Sequence, residues 1–130
     1  MQNKVKYVFS LLLGLFMIYG GVNHILKPLF YLPFVPNFFP FRETIVFLSG
    51  LLEILVGVGL FIPLFRQWSA WIVLAMMLAF LPIHIWDIFR SDPAIGSHAA
   101  ALIRAPFQLI FIAWSAWIAC PCKKCMKTTH

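Results

Sequence analysis

The sequence predicts an all-α integral membrane protein: a four-helix bundle with a proline- and aromatic-rich interfacial loop between its first two spans. Of the 130 residues, 62% are hydrophobic and only 11% charged, whereas a water-soluble domain carries about 25% charged residues. Such a chain cannot cover a surface facing water, and a lipid bilayer is its expected solvent. Four stretches, residues 5–26, 44–63, 68–86 and 99–118, are each apolar over close to the roughly 20 residues that a membrane-crossing helix needs. The basic residues are sorted along the chain. Lys4, Lys6, Arg66, Lys123, Lys124 and Lys127 fall on one side of a four-span arrangement, while Lys27, Arg42 and Arg90 on the other are offset by Glu43, Asp87 and Asp92.

The first span follows Lys4 and Lys6, which invites comparison with a signal peptide. Its apolar run outlasts a signal's hydrophobic region, and Tyr19-Gly20-Gly21 makes a poor cleavage pattern, so a retained first helix is expected. The following link, residues 27–43, carries Pro28, Pro33, Pro36 and Pro40, which block a regular helix, among Phe30, Tyr31, Phe34, Phe38, Phe39 and Phe41. A plain interfacial loop with its rings at headgroup level is the simpler expectation, and a lid folded over the bundle the alternative. Between the second and third spans, Pro63-Leu64-Phe65-Arg66-Gln67 is short enough to force an antiparallel helix pair. Residues 87–98 read as an ordinary polar loop with Pro93 and Gly96, and residues 119–130 as a Cys/Lys tail. No internal repeat or second domain is visible.

Each span carries polar residues that lipid would reject: Asn23, His24, Glu53, His84, Arg104 and Gln108. A charge at membrane depth marks a functional-site candidate. Gly14, Met17, Gly21 and His24 share one helix face, as do Gly50, Glu53 and Gly57, so small residues that permit close helix approach point His24 and Glu53 into the bundle. Arg104, Gln108 and Ser115 form a polar stripe on the fourth span. His84 stacks with Met77, Phe80 and Asp87, away from Ala75 and Ala79, which suggests an interfacial histidine. At about 1.5 Å rise per residue, Glu53 and Arg104 lie roughly 14 and 7 Å below the outer surface. A Glu53–Arg104 ion pair is therefore expected, serving either helix registry or a site.

The positive-inside rule places both termini in the cytoplasm. No basic stripe with interleaved base-reading residues exists, which argues against nucleic-acid binding; the basic ends suit anionic headgroups. Gly50, Gly57 and Gly59 lie inside a helix and form no phosphate loop. The tail's Cys120, Cys122 and Cys125 could hold a soft metal, but a fourth ligand is missing unless His130 supplies it, so no metal site is assigned. Haem ligation by His24 and His84 is a weaker candidate than interfacial hydrogen bonding.

Gly20-Gly21-x-Asn23-His24, Pro28-x-Phe30-Tyr31, Ser49-Gly50-x-x-Glu53-Ile54-x-x-Gly57-x-Gly59-Leu60, Pro63-x-x-Arg66 and Arg104-x-Pro106-x-Gln108, in this order, resemble the DoxX family of small bacterial membrane proteins over residues 8–117. The resemblance implies a compact four-helix bundle in a bacterial cytoplasmic (inner) membrane, with some relatives tied to quinone-linked oxidation or membrane oxidoreductase complexes. Carried over, its pattern points to Asn23, His24, Glu53, Arg66, Arg104 and Gln108, although Arg66 falls in the cytoplasmic turn of this topology and suits a headgroup anchor. Two functions follow as expectations. In one, the chain is a quinone-interacting redox subunit with His24 or Glu53 as the proton-handling, catalytic candidate and ligand contacts from Asn23, His24, Glu53, Arg104 and Gln108, working with a redox partner subunit. In the other, it is a non-catalytic protein that binds a lipid-like ligand or assembles a complex.

Overall fold

Residues 2–92 and 96–120 are described by the computed structural model. Their order is α1 (Gln2–Leu26), the short α2 (Pro28–Tyr31), a 3-10 turn (Leu32–Phe34), α3 (Arg42–Phe61), α4 (Arg66–Phe89) and α5 (His98–Ala119), with no strand among the described residues. The long helices α1, α3, α4 and α5 are each long and apolar enough to cross a membrane. Their outward faces are greasy: Leu15, Phe16, Leu55, Trp68, Leu102 and Ile103 are all exposed, while Ser10, Glu53, Ser69, Asp87, Gln108 and Ser115 are buried. This inside-out distribution suits a multi-pass protein dissolved in lipid. The expected spans hold to within a few residues. The main difference is at the end of α4, which continues to Phe89 and places Asp87, expected in a loop, within its last turn. Asp87 is 2% exposed.

Glycines set the distance between α1 and α3. A Cβ added at Gly14 would lie 2.8 Å from the Gly57 carbonyl oxygen, and one at Gly57 would lie 2.8 Å from the Gly14 oxygen. A second pair, Gly21 and Gly50, repeats the arrangement toward the other end of the seam, so the two backbones touch directly. Both expected glycine faces are thus buried. Below them Leu13, Met17, Val56, Leu60, Val73, Met76 and Ile118 make the apolar core.

Both ends of the described chain lie at one end of the bundle. Lys6 Nζ donates to the Cys120 carbonyl at 2.9 Å and Gln67 Nε2 to that of Ala119 at 3.2 Å. Arg66 lies over the Tyr7 ring, 4.7 Å from its centroid. The C-terminal ends of α1 and α4 and the N-terminal ends of α3 and α5 therefore gather at the opposite end.

At that opposite end the proline-aromatic link folds back over the bundle as a lid while leaving Leu29, Phe30, Phe38, Phe39 and Phe41 exposed. Its prolines interrupt helical pairing and leave carbonyl groups to be satisfied from elsewhere. Two arginines do this. Arg42 donates to Leu32 O at 2.6 Å and to Val35 O at 3.1 Å, and Arg90 donates to Pro33 O at 2.9 Å. The chain enters α3 through Phe41, which adopts a left-handed conformation (φ 56°) to redirect the lid into the helix.

A candidate polar site beneath the proline-aromatic lid

Glu53 sits mid-way along α3 at 7% exposure, on the face that meets α1. The absent side chain of Gly20 makes room for it: a Cβ there would lie 2.8 Å from Glu53 Oε2. On the other carboxyl oxygen, His24 Nε2 stands 3.5 Å from Oε1. The far side of the imidazole faces α3, with Nδ1 3.0 Å from Ser49 Oγ and 3.3 Å from the Val46 carbonyl. Ser49 in turn donates its hydroxyl to Val46 O at 2.8 Å. Both ring nitrogens of His24 are engaged by protein groups, a poor arrangement for a haem ligand.

The lid closes over these groups with aromatic rings. Tyr31 stacks on His24 with centroids 3.8 Å apart and planes 28° from parallel. Burial, and then the nearby Glu53 charge, push the Tyr31 phenol above its ordinary pKa. Phe34 meets His84 edge-on at 5.7 Å. His84 is half-buried, and its Nδ1 has no hydrogen-bond partner among the described residues. On α4 the packing face follows Met77 and Asp87, both buried, while Ala75 and Ala79 point outward. Small residues mark the seam along α1 and α3; on α4 they do so only at its start, where Ser69 and Ala70 are buried and Ser69 meets Gly59.

Arg104 does not pair with Glu53. Its side chain is exposed and makes no hydrogen bond or ion pair among the described residues, although it lies within electrostatic reach of His24, Tyr31, Glu53 and His84. The reason is packing. α1 lies against α3 in backbone contact, so His24 reaches the carboxyl first, whereas α5 packs mainly on α4. Gln108, 1% exposed, donates to the Met77 carbonyl at 2.9 Å and ties α5 to α4. Asn23 donates to Tyr19 O at 2.9 Å along its own helix. The structure thus brings His24 and Glu53 together with Arg104 nearby, and engages Asn23 and Gln108 with helix carbonyls. Arg66, over Tyr7 at the other end, is remote from the cluster.

Tyr31, Ser49 and Phe34 are site residues that the polar-intruder criterion overlooks. A signal for Tyr31 exists: Pro28 sits in the first turn of α2, pre-set for helix, and the turn it starts carries Tyr31 back over His24. Beside the cluster, His24 also lines a cleft of about 260 Å³ with Ile25, Pro28, Leu29, Leu32, Glu43 and Phe47. A neighbouring cleft of about 410 Å³ shares Leu32 and Glu43 with it and adds Arg42.

Of the tail cysteines, Cys120 is an exposed free thiol, while Cys122 and Cys125, like His130, lie outside the described residues. Among the described residues no group of three or more His, Cys, Asp or Glu side chains is placed to hold a metal ion.

The sequence model of the family described as "Domain of unknown function (DUF8561)" matches residues 13–119, from the core of α1 to the end of α5. No curated protein and no solved structure matches the chain.

Proposed function

We propose that this chain, which belongs to the DUF8561 family, is a quinone-interacting membrane protein of the DoxX type, in which His24 and Glu53 meet the headgroup of a membrane-dissolved quinone. The observation that carries this reading is the position of His24. The same imidazole is stacked by Tyr31, paired with Glu53 and exposed along an otherwise largely apolar cleft of about 260 Å³. A few polar groups on the wall of a largely apolar, ring-sized cleft are the usual form of a site for an amphiphilic ligand. Access from the bilayer is favoured by the way α1 meets α5. Trp114 donates to Phe9 O at 3.2 Å and Phe9 meets the Trp117 ring in the half of the bundle that holds the chain ends, away from Arg104.

A bound quinone would supply coupled electron and proton chemistry. The chain's own residues bind and orient: His24 and Glu53 hold a proton at the headgroup, and the Arg104 charge stands within reach. Electrons come, on this reading, from a partner subunit of a membrane oxidoreductase system. Lys4, Lys6 and Arg66 at the chain-end side favour a cytoplasmic location for both termini in a bacterial inner membrane.

The test is titration of the purified protein in nanodiscs with a short-chain ubiquinone analogue, following tryptophan fluorescence; Trp86, near the lid end, is the closest reporter on α4. Saturable quenching is expected, weakened roughly tenfold or more by His24→Ala, the order of a lost hydrogen bond to a charged group. Quenching that never saturates, or that His24→Ala leaves unchanged, refutes the reading.

The second reading, a binder of a lipid-like ligand or an assembly protein, is favoured by Arg104, an exposed guanidinium on a membrane-spanning helix without an ion pair among the described residues. Such a charge requires an anion, and a lipid phosphate or a partner's carboxylate supplies one. Phospholipid retained through delipidation by the wild type and lost in Arg104→Leu, together with no quinone response, would establish this second function in place of the first.

A further inference from the structure

We propose that His24 and Glu53 form one proton-holding site: an imidazole–carboxyl pair that carries a single exchangeable proton across the Nε2–Oε1 contact, with the other ring proton fixed on Nδ1. The inference goes beyond quinone binding and does not depend on it, although it would supply the proton side of that chemistry.

Ser49 has one hydroxyl proton, and it is donated to Val46 O at 2.8 Å. Val46 O can only accept. With that donation made, Nδ1 of His24 faces two acceptors, Ser49 Oγ at 3.0 Å and Val46 O at 3.3 Å, and is satisfied by carrying a proton; a Ser49 hydroxyl turned toward Nδ1 would instead leave the ring proton on Nε2. A neutral ring so fixed turns the Nε2 lone pair toward Glu53 Oε1, 3.5 Å away.

If Glu53 were ionised against that lone pair, two acceptors would face one another, and a carboxylate 7% exposed would stand without a donor. One added proton removes both penalties. It resides on Nε2, giving an imidazolium–carboxylate pair, or on Oε1, giving a carboxylic acid beside a neutral ring. At 3.5 Å the contact is longer than an ordinary N–H···O bond, so the proton sits on one partner at a time.

The surrounding charges decide whether anything else could do the same work. Arg104 on α5 is the cation in reach of both partners, yet it makes no ion pair with Glu53. Tyr31 from the lid stacks on His24, Glu43 from the start of α3 lines the adjoining cleft, and His84 stands on α4. On α1, Gly20 presents no side chain to the carboxyl. The competing arrangement is an ionised Glu53 balanced at a distance by Arg104, with the ring proton on Nε2 instead.

Nitrogen-15 NMR of histidine-labelled full-length protein in lipid bilayers, with infrared spectroscopy of the same samples, separates the two at neutral pH. His24 is assigned as the resonance lost in His24→Asn, and the Glu53 band as the one lost in Glu53→Gln, or shifted in Glu53→Asp should the former fail to fold. The decision rests on the wild type alone. The expected result is either a doubly protonated His24 beside an ionised Glu53, or a neutral His24 protonated at Nδ1 together with a carboxylic-acid band from Glu53; a doubly protonated His24 beside that acid band would mean two protons and overturn the proposal. A neutral His24 protonated at Nε2, or any neutral His24 beside an ionised Glu53, overturns the proposal. No quinone is present in these measurements, so their outcome and that of the quinone titration are independent.

Discussion

Replacing Gly21 with alanine should pry α1 from α3 at the lid end. The added Cβ would lie 2.7 Å from Ile54 Cγ1 and 3.0 Å from the Ile54 backbone nitrogen, and would run into the Gly50 carbonyl oxygen. Ordinary contacts need about 3.5 Å or more. Ile54 Cγ1 can swing aside; the two backbone atoms cannot, so the helices must separate locally by roughly 0.5–1 Å. A gap of that size forfeits about a quarter to a half of the dispersion energy of the atoms that line it, and overpacking of this kind costs about 1–3 kcal/mol. At about 1.4 kcal/mol per tenfold, the folding equilibrium falls by roughly 5- to 150-fold. The assay is reversible unfolding in bicelles under an SDS gradient, with Leu55→Ala as control. Leu55 is 60% exposed on the lipid-facing side of α3 and its truncation should stay within about 0.5 kcal/mol. If Gly21→Ala unfolds at the same SDS fraction as Leu55→Ala, the backbone contact between the two helices is not what holds them together.

Other perturbations reach other parts of the molecule. Arg42→Met removes donors to Leu32 O and Val35 O, and hydrogen exchange across residues 28–39 should accelerate by about ten- to a hundredfold, as for charged hydrogen bonds worth about 1.5–3 kcal/mol; unchanged exchange would mean that the lid is held by its rings alone. Gln108→Leu should cost about 1 kcal/mol in the same bicelle assay through loss of its bond to the Met77 carbonyl, and a neutral result would deny that link a stabilising role. In a double-mutant cycle, Glu53→Leu and His24→Leu should each destabilise, with the double change costing less than the sum of the singles; strict additivity would dissolve the pair. Tyr31, its phenol pKa raised chiefly by burial, favours the protonated form in the folded state. Above the ordinary tyrosine pKa of about 10 the unfolded chain therefore binds fewer protons than the native one, and the Tyr31 contribution is lost as pH rises through the folded value. Ultraviolet titration of wild type against Tyr31→Phe should show this ring ionising late; ionisation at about pH 10 would place it in water.

How much of this was legible in the residues varies with the kind of signal. The spans were, because hydropathy over twenty residues is a sum that no single side chain can upset. So were the inward faces of α1 and α3, since Gly14, Gly21, Gly50 and Gly57 carry a steric message that depends on helical spacing alone. The small-residue rule says less about α4, where Ser69 and Ala70 are buried at its start but farther along Met76 and Met77 fill the interior while Ala75 and Ala79 face out. The Glu53–Arg104 pairing went wrong for a different reason. Depth along a helix can be counted from sequence, but which helix lies beside which cannot, and the α1–α3 seam gives the carboxyl to His24. The lid was undetermined because prolines state what a segment cannot form, while its folding back depends on Arg42 and Arg90 finding carbonyls in a link they do not belong to.

The glycine seam and the polar site are one construction. His24 lies a single turn beyond Gly21, and a Cβ on Gly50 would meet the His24 Cβ at 2.5 Å, so the histidine reaches Val46 and Ser49 only because the backbones touch. Glu53 fits beside α1 only because Gly20 has no side chain. Two of the glycines that hold the helices together therefore also set the distance from imidazole to carboxyl. It follows that Gly50→Ala, although it alters no titratable group, should disturb the protonation of His24 as surely as a substitution of Glu53 does. Gly14→Ala, a comparable clash with Gly57 toward the other end of the same seam, should lower stability while leaving the His24 resonance in place. If both variants shift that resonance equally, the helix pair moves as a rigid unit and the site is not locally set; if neither does, the imidazole finds its partners without the seam.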